Sequence, residues 1–359
     1  MLLLSRQPLH PSRSSAWVEA AVKALTWIKE NGGTVLGSCG TPTWDLVTAA
    51  AIICKVDVRV IVPASSPDDF DNKRMSCSRQ FGILPGSIIP YYHDNSLSKK
   101  EICELRDRHI VNESDTLIRI SIRKKGLMDT LAAQHSLKAA IISSFETPYA
   151  HRIVPIHYHI DTEGVPKETI QLKNQFIIHW TRSSTGPWPG ERLYDYYNAV
   201  LNSPTYPRTA FHSLQNILRV RKIFASSSHM PGNVSVVSFS ASSPVDFIPL
   251  MRWRSRYRQM SFEPYGIGIE REYALATGMR RVTYTKKKSN DGNGRWLVQS
   301  AGIKGNWKPE KEYRYKEDYD LSRTPGDKLA AFCLYKHEAD SLTREFGISC
   351  FNFTGSASG

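Results

Sequence analysis

The sequence has 359 residues, a formal net charge of +13, 41% hydrophobic residues and 23% charged residues. This length favours two domains of ordinary size, and the apolar content is sufficient for a core in each of them. The excess of positive charge favours a polyanionic partner, such as a nucleotide, a phosphate-bearing cofactor, DNA or RNA, although a plain basic surface produces the same number.

The cysteines and the apolar segments restrict the compartment. None of the six cysteines lies in a CxxC pair, and a chain of this length does not depend on disulfides. We therefore expect reduced thiols, a cytoplasmic protein and no metal site. No run of about 18 apolar residues occurs, so we expect no membrane partner. We interpret the last five residues, GSASG at 355–359, as an added linker.

The first 150 residues alternate between helical and strand patterns. Apolar spacing and flanking turn residues predict helices over 14–33, 98–115 and 127–138, and a strand, a glycine turn and a helix over 34–55. Further strands are predicted over 56–64, 87–94, 116–122 and 139–145. Strands separated by helices indicate a Rossmann-like α/β domain with a parallel sheet and helices on both faces.

The remainder of the chain has a different texture. Residues 151–174 are polar and contain proline and glycine, so we interpret them as a connector. Residues 175–354 predict an α+β domain with many short strands. The predicted strands are 175–180, 222–226, 234–240, 265–270, 280–287 and 312–321, with a helix over 209–222 and a strand, helix and strand over 326–351.

A glycine turn between a strand and a helix predicts a phosphate site. Gly37, Ser38, Gly40 and Thr41 follow the predicted strand at 34–38. At the carboxyl end of a parallel strand, backbone N–H groups and the helix dipole face outward, and glycines let a phosphate approach closely. A simple tight turn gives the same pattern.

Three segments carry a resemblance to a known superfamily: LSRQP at 4–8, GTVLGSCGTPTWDL at 33–46, and the arginine-rich stretch 105–131. Residues 1–150 resemble the SLOG superfamily, which includes the DNA-processing protein DprA and the LOG nucleotide phosphoribohydrolases. The resemblance implies one nucleotide-binding edge. Its residues would be Ser5, Arg6, Gly37, Ser38, Gly40, Thr41, Arg106, Arg108, Arg123 and Gly126.

The departures from the LOG pattern favour binding over hydrolysis. The PGGxGTxxE motif of the LOG enzymes is absent, and Asp45 stands near the position of its glutamate. Asp107 lies between Arg106 and Arg108, and we expect it to pair with them on a helix face.

Short pieces in a fixed order along the second half carry another resemblance: HWT at 179–181, SLQNIL, KIFASSSH, VSFS, YGIGI, GMRRVTY at 278–284 and WKPEKEYR at 307–314. The second half thereby resembles the AbiGi-like abortive-infection proteins and, distantly, the DarT group of DNA-modifying ADP-ribosyltransferases. The resemblance implies a bacterial antiphage defence protein whose effector domain uses NAD. It leaves open whether DNA, RNA or protein is the acceptor, and whether the chain forms a homo-oligomer or a complex with a neighbouring defence protein.

A histidine, a tyrosine and a glutamate on separate strands suit that chemistry. Breaking the bond between nicotinamide and ribose builds positive charge on the ribose, and a fixed carboxylate stabilises this charge. We therefore expect Glu312, Tyr265 and His179 to be catalytic, with Glu310 nearer the edge of the site. His179, Thr181, Ser238 and Tyr265 would hold the dinucleotide.

The segment RWRSRYR at 252–258 alternates arginines with other residues. In one strand this period would place Arg252, Arg254, Arg256 and Arg258 on a single face, where they would bind the phosphates of nucleic acid. Two other functions remain open on the sequence: a non-enzymatic, DprA-like nucleic-acid-binding protein, and a nucleotide N-glycosidic hydrolase that acts through the N-terminal domain.

Overall fold

The computed structural model describes residues 1–135, 138–150, 155–228, 230, 233–285, 294–300 and 307–355. The chain forms two compact units. The N-terminal unit is Met1–Ile153 with Thr185–Pro207, and the C-terminal unit is Val154–Ser184 with Arg208–Gly359. Among the described residues, no helix is both long and apolar enough to cross a membrane.

These units divide the chain differently from the expected domains. Residues 155–174, expected as a connector, belong to the C-terminal unit and include the helix Lys167–Gln171. Residues 185–207 belong to the N-terminal unit, although they follow the strand that opens the second half. Residues 151–154 of the expected connector and 356–359 of the expected linker lie outside the described residues.

The elements of the N-terminal unit are β1 (Leu2–Leu4), α1 (Ala16–Glu30), β2 (Thr34–Ser38), α2 (Pro42–Ile53), β3 (Asp57–Ala64), α3 (Pro67–Phe81), β4 (Ile88–Tyr92), α4 (Lys99–Asn112), β5 (Thr116–Ser121), α5 (Leu127–His135), β6 (Ala140–Ile142) and, from the second segment, α7 (Leu193–Asn202). The strands form two three-stranded parallel sheets, with strand orders β1-β5-β6 and β2-β3-β4. This confirms an α/β fold with Rossmann-like parallel sheets.

The local sequence explains these elements. In α1, Val18, Ala21, Leu25 and Ile28 recur at helical spacing and are all buried. Val60, Ile61 and Val62 of β3 are buried in the middle of their sheet, as is typical of a parallel strand covered on both faces. The additional helix α7 packs on α2, and its Tyr197 hydroxyl donates to the Pro42 carbonyl oxygen at 3.0 Å.

The elements of the C-terminal unit are α6 (Lys167–Gln171), β7 (Phe176–Trp180), α8 (Ala210–Val220), β8 (Lys222–Ile223), β9 (Val236–Ser240), α9 (Pro244–Phe247), β10 (Trp253–Arg254), β11 (Gln259–Met260), β12 (Gly266–Glu270), α10 (Arg271–Ala276), β13 (Arg280–Arg281), β14 (Thr283–Thr285), β15 (Val298–Ser300), β16 (Glu312–Lys316), β17 (Tyr319–Asp320), β18 (Leu329–Cys333), α11 (Lys336–Phe346) and β19 (Ser349–Asn352). Seven of these strands form a mixed sheet of order β13-β16-β9-β7-β12-β18-β19, in which the β18–β19 pair is parallel and the other pairs are antiparallel.

Two central strands of this sheet separate. β7 pairs with β12 along its whole length, but it pairs with β9 only at Ile178 and Ser240. The carboxyl end of β7 and the beginning of β9 therefore diverge and open a crevice in the sheet. On the other side of β7 the packing is tight, because a Cβ at Gly266 of β12 would lie 2.9 Å from the His179 carbonyl oxygen and 2.9 Å from the Trp180 ring.

The single strand expected over 252–258 is wrong. The segment forms a short antiparallel hairpin in which β10 and β11 pair and residues 255–258 turn. The Tyr257 N–H donates to the Arg254 carbonyl oxygen at 3.0 Å, and Arg258 adopts φ of 52°. A turn breaks the two-residue alternation, so the four arginines do not share one strand face. We call residues 252–260 the basic hairpin.

Candidate functional site

The N-terminal unit contains a cavity of about 630 Å³ at the carboxyl ends of its strands. Residues that follow β1, β2 and β5 line it, together with the first residues of α2 and α5. In open α/β sheets, ligands bind at this edge. We call it the N-terminal cavity. Its polar and charged lining includes Ser5, Arg6, Gln7, Thr41, Thr43, Trp44, Lys99, Arg106, Asp107, Arg123 and Tyr149.

Most of the residues that the sequence assigned to the phosphate edge meet in this cavity. They are Ser5, Arg6, Gly40, Thr41, Arg106, Arg123 and Gly126. The Ser5 hydroxyl accepts a hydrogen bond from the Arg123 backbone N–H at 2.9 Å and so joins the segments that follow β1 and β5. Gly40 has φ of +89°, a conformation that favours glycine in the turn before α2.

Three of the assigned residues do not line the cavity. The Ser38 side chain is fully buried and donates to the Ile61 carbonyl oxygen at 2.7 Å. Gly37 packs beneath Trp44 and Thr48. Arg108 points to the exposed side of α4, where its guanidinium donates to Gln134 Oε1 at 3.3 Å. Residues adjacent in sequence thus differ in access, because strand and helix periods turn them in different directions.

Positive charge dominates the N-terminal cavity. Arg6, Lys99, Arg106 and Arg123 line it, and Asp107 is the single carboxylate among the lining residues. Of these four cations, only Arg106 forms an ion pair within the described part of the chain. Thr41, Pro42 and Thr43 at the beginning of α2 also line the cavity, and the Thr41 side chain makes no capping hydrogen bond, so the positive end of the α2 dipole borders the same space. The cavity is therefore suited to an anionic ligand.

Asp107 belongs to a buried network on the cavity wall. Its Oδ1 accepts hydrogen bonds from Arg106 Nη2 at 2.7 Å, Arg106 Nε at 3.0 Å and Trp44 Nε1 at 3.0 Å. Burial raises the pKa of the Asp107 carboxyl, and the Arg106 charge opposes that shift. The expected pairing with both flanking arginines is thus corrected: Asp107 pairs with Arg106 alone, in the interior, while Arg108 lies outside.

Asp45, near the position of the LOG glutamate, has a structural contact. Its Oδ1 accepts from the Gly40 N–H at 2.7 Å, and it is not among the lining residues of the N-terminal cavity. Burial raises the pKa of Asp45 to about 6. The carboxylate holds the glycine turn in place, and the geometry offers it no contact with a ligand.

The crevice between β7 and β9 leads into a second cavity of about 580 Å³, which we call the C-terminal cavity. It contains both acidic and basic groups as well as aromatic rings. Its polar lining residues are His179, Trp180, Arg182, Ser226, Ser228, Ser238, Ser240, Arg254, Tyr257, Gln259, Ser261, Gln299, Trp307, Glu310, Glu312 and Arg314.

Glu312 is the most firmly held acid in the C-terminal cavity. Arg314 Nε donates to its Oε1 at 2.7 Å and Arg314 Nη2 donates to its Oε2 at 3.1 Å. The Ser238 hydroxyl also donates to Oε1, at 3.0 Å. The bidentate contact follows from the strand register, because residues two apart on β16 share a sheet face. Glu312 is thereby orientated at the cavity wall.

His179 stands at the point where β7 and β9 diverge. Its Nδ1 lies 2.9 Å from the Ser238 carbonyl oxygen, so Nδ1 carries the proton and Nε2 is left as an acceptor. Burial lowers the pKa of His179, and the contact with Ser238 opposes this shift. A neutral ring with a fixed tautomer is suited to receiving a hydrogen bond from a ligand hydroxyl.

Tyr265 and Thr181 do not reach the C-terminal cavity, which corrects the expectation that they hold a dinucleotide. Tyr265 is 5% exposed, and its hydroxyl donates to Glu338 Oε1 at 3.1 Å. The Thr181 hydroxyl is buried against the backbone oxygens of Ala210 and Tyr265. The imidazole and the glutamate therefore line one crevice, and the phenol is packed in the core.

Glu310 titrates near neutrality, which predicts a pH-dependent stability. Burial and the neighbouring Glu312 raise its pKa to about 7 from an ordinary 4.5. Because this pKa is raised in the fold, the protonated carboxyl contributes to stability at low pH, and that contribution is lost as pH rises through 7. Glutamine does not titrate, so we expect Glu310→Gln to stabilise the fold more at pH 8 than at pH 5. The two effects on the free energy of unfolding should differ by about 1.4 kcal/mol for each unit between the folded and the unfolded pKa of Glu310.

Chemical denaturation at both pH values measures this effect. The exposed Glu272, on α10, provides a matched control, since Glu272→Gln removes the same charge from the surface. A Glu310→Gln variant with the same pH dependence as the unchanged chain would contradict the burial of this carboxyl.

The basic hairpin borders the C-terminal cavity. Arg254 lies over the Trp307 ring at 4.3 Å and over the Tyr257 ring at 5.4 Å, and the Tyr257 side chain is 55% exposed. The sequence pattern points to Arg254, but it does not point to Trp307, Arg182 or Gln299 as lining residues. The sequence around these residues does not predict that they line the cavity, because only the strand order brings them to the crevice.

The described residues contain no group of three or more histidine, cysteine, aspartate or glutamate side chains placed to hold a metal ion, and all six cysteines are free. Comparison with protein families, with curated proteins and with solved structures finds no match to this chain.

Proposed function

We propose that this chain is a bacterial antiphage defence protein in which the N-terminal unit senses a nucleotide and the C-terminal unit is an NAD-dependent ADP-ribosyltransferase. The observation that carries the proposal is the N-terminal cavity, where cationic side chains converge at the carboxyl ends of parallel strands. The geometry of the C-terminal cavity supports the second part.

The N-terminal cavity supports a ligand with phosphate groups. Arg6, Lys99 and Arg123 have no carboxylate partner within ion-pair distance in the part of the chain that the structure describes. All three side chains are exposed, so their charges are available to an anionic ligand. A volume of about 630 Å³ is within the range of pockets for small molecules.

Removing one of these cations tests the site. We expect Arg123→Ala, and separately Arg6→Ala, to weaken the binding of ADP about tenfold or more, because a hydrogen bond to a charged group contributes about 1.5–3 kcal/mol. Titration calorimetry at low salt measures the affinity. Arg79→Ala, on the exposed side of α3, is the control and should leave it unchanged. Equal affinities for all four proteins would contradict a phosphate site here.

The C-terminal cavity supports ADP-ribosyl transfer through Glu312 and His179. NAD supplies a ribose whose bond to nicotinamide breaks during transfer, with the bonding electrons leaving on nicotinamide. Glu312, held by Arg314 and Ser238, provides a preorganised negative charge beside the cavity. His179 offers Nε2 to a ribose hydroxyl. Tyr265 has no part in this proposal.

The basic hairpin favours single-stranded nucleic acid as the acceptor. Arg256 and Arg258 are exposed on its turn, and the exposed Tyr257 can stack on a base. A neighbouring hollow of about 450 Å³ is lined by Arg281, Lys308 and Lys311 and contains no acidic lining residue. Basic groups therefore flank the segment that carries Glu310 and Glu312.

Salt dependence tests the acceptor. We expect binding of a single-stranded oligonucleotide to weaken steeply with salt concentration, and Arg256→Ala with Arg258→Ala to reduce the slope of log affinity against log salt by roughly one to two. Fluorescence anisotropy between 50 and 200 mM salt measures the slope. If the variants keep the slope of the unchanged chain, the hairpin does not contact phosphates.

A further inference from the structure

One oxygen of Asp107 has no hydrogen-bond partner among the residues that the structure describes. Oδ1 receives three hydrogen bonds, from Arg106 and Trp44, whereas Oδ2 receives none from the described residues. Oδ2 is not fully buried and keeps some accessible surface. Asp107 is 8% exposed and lines the N-terminal cavity, so Oδ2 is the carboxylate oxygen that remains for a contact with a ligand there.

The surroundings of this oxygen define what it can accept. Lys99, Cys103, Arg106 and Asp107 recur at helical spacing along α4, so one face of this helix lines the cavity. Asp107 is the single carboxylate among the lining residues, and it would repel a phosphate placed against it. Its neighbour in the ligand must be a hydrogen-bond donor.

We infer that the N-terminal cavity selects ribonucleotides, with the phosphates on Arg6, Lys99 and Arg123 and a ribose hydroxyl donating to Asp107 Oδ2. When one oxygen of a buried carboxylate is fixed by hydrogen bonds, the other oxygen has a fixed direction and accepts a strong hydrogen bond from a hydroxyl group. This inference rests on the proposed nucleotide site and adds the class of ligand that the site distinguishes. Arg106 and Trp44 are positioning residues, because they fix Oδ1 and thereby aim Oδ2.

The test compares four probes: ADP, 2′-deoxy-ADP, 3′-deoxy-ADP and pyrophosphate. We expect ADP to bind about 10- to 100-fold more tightly than the analogue that lacks the contacted hydroxyl, since hydrogen bonds to charged groups have this magnitude. Pyrophosphate should bind more weakly than ADP.

Asp107→Asn separates recognition from structure. Trp44 and Arg106 donate towards the position of Oδ1, so the amide oxygen must occupy it and the NH₂ group must face the cavity. We expect the variant to lose most of the preference for ADP over the deoxy analogue and to bind pyrophosphate more tightly than the unchanged chain. If Asp107 had a purely structural role, the variant would bind both ADP and pyrophosphate more weakly. Glu104→Gln, on the same helix, is the control and should change neither.

The outcomes are distinct. Equal binding of ADP, both deoxy analogues and pyrophosphate by the unchanged chain would overturn the inference and leave the phosphate site intact. No binding of any probe would overturn the inference together with the proposed nucleotide site. A preference for ADP that survives in Asp107→Asn would assign the recognition of the ribose to another residue and would also overturn it.

Discussion

Glu312→Gln is expected to reduce the turnover of NAD by about 100- to 1,000-fold, the range found when one preorganised group is removed from the charge that develops in a transition state. The substitution keeps the shape of the side chain but removes its negative charge. Ser238 and Arg314 can still donate to the amide oxygen, so the orientation of the side chain is largely kept. Release of nicotinamide from labelled NAD measures the turnover.

Two further variants make this result interpretable. Ser238→Ala removes one of the three hydrogen bonds to Glu312 and should cause a smaller loss of turnover than Glu312→Gln. Tyr265→Phe should change turnover little, because its hydroxyl contacts Glu338 in the core. Turnover that persists in Glu312→Gln, or that is lost in Tyr265→Phe alone, would refute the arrangement proposed for the C-terminal cavity.

Arg106→Met is expected to lower the free energy of unfolding by about 3–5 kcal/mol, since removing one partner of a buried ion pair leaves the other charge uncompensated. Arg106 is 3% exposed, and its guanidinium contacts Asp107 at 2.7 Å and lies over the Trp44 ring at 5.8 Å. Without this arginine, the pKa of the Asp107 carboxyl rises further. The deficit should therefore shrink as pH falls and Asp107 becomes neutral.

The chain contains a matched control for this prediction one position beyond Asp107. Arg108→Met removes the same group from the exposed face of α4 and should cost less than about 0.5 kcal/mol. The double variant Arg106→Met with Asp107→Asn should recover part of the loss, because it leaves no buried charge. Denaturant titration measures the free energy of unfolding of the unchanged chain and of these three variants. Equal effects of the two single arginine variants would contradict the buried network.

Much of the fold follows from local patterns. Apolar periodicity predicts the parallel strands and alternating helices of the N-terminal unit, and it predicts most of the strands along the second half. The helix α3 was missed, although Ser66 caps its beginning and Gly82, at φ of 70°, ends it. Its mean apolar content is low, and a search based on apolar periodicity passes over a helix that buries few residues.

The candidate sites divide in the same way. The glycine turn at Gly40 is recognisable in the sequence, because a candidate phosphate site has a local signature at a strand–helix turn. Arg6 and Arg123 are expected only from the resemblance to the SLOG superfamily. Tyr265 and His179 are both expected from the sequence to be catalytic, yet Tyr265 is packed in the core and His179 lines the crevice. Their local sequences do not differ in any way that predicts this.

The sequence by itself determined the class of fold, the positions of most strands and helices and the concentration of basic groups, because these depend on residue type and on spacing along the chain. Only the tertiary structure decided which side chains share a cavity. That depends on the strand order β16-β9-β7-β12, on the single pairing of β7 with β9 at Ile178 and Ser240, and on the turn of α4 that buries Arg106 and exposes Arg108. Register and burial join residues distant in sequence, and no local pattern records them.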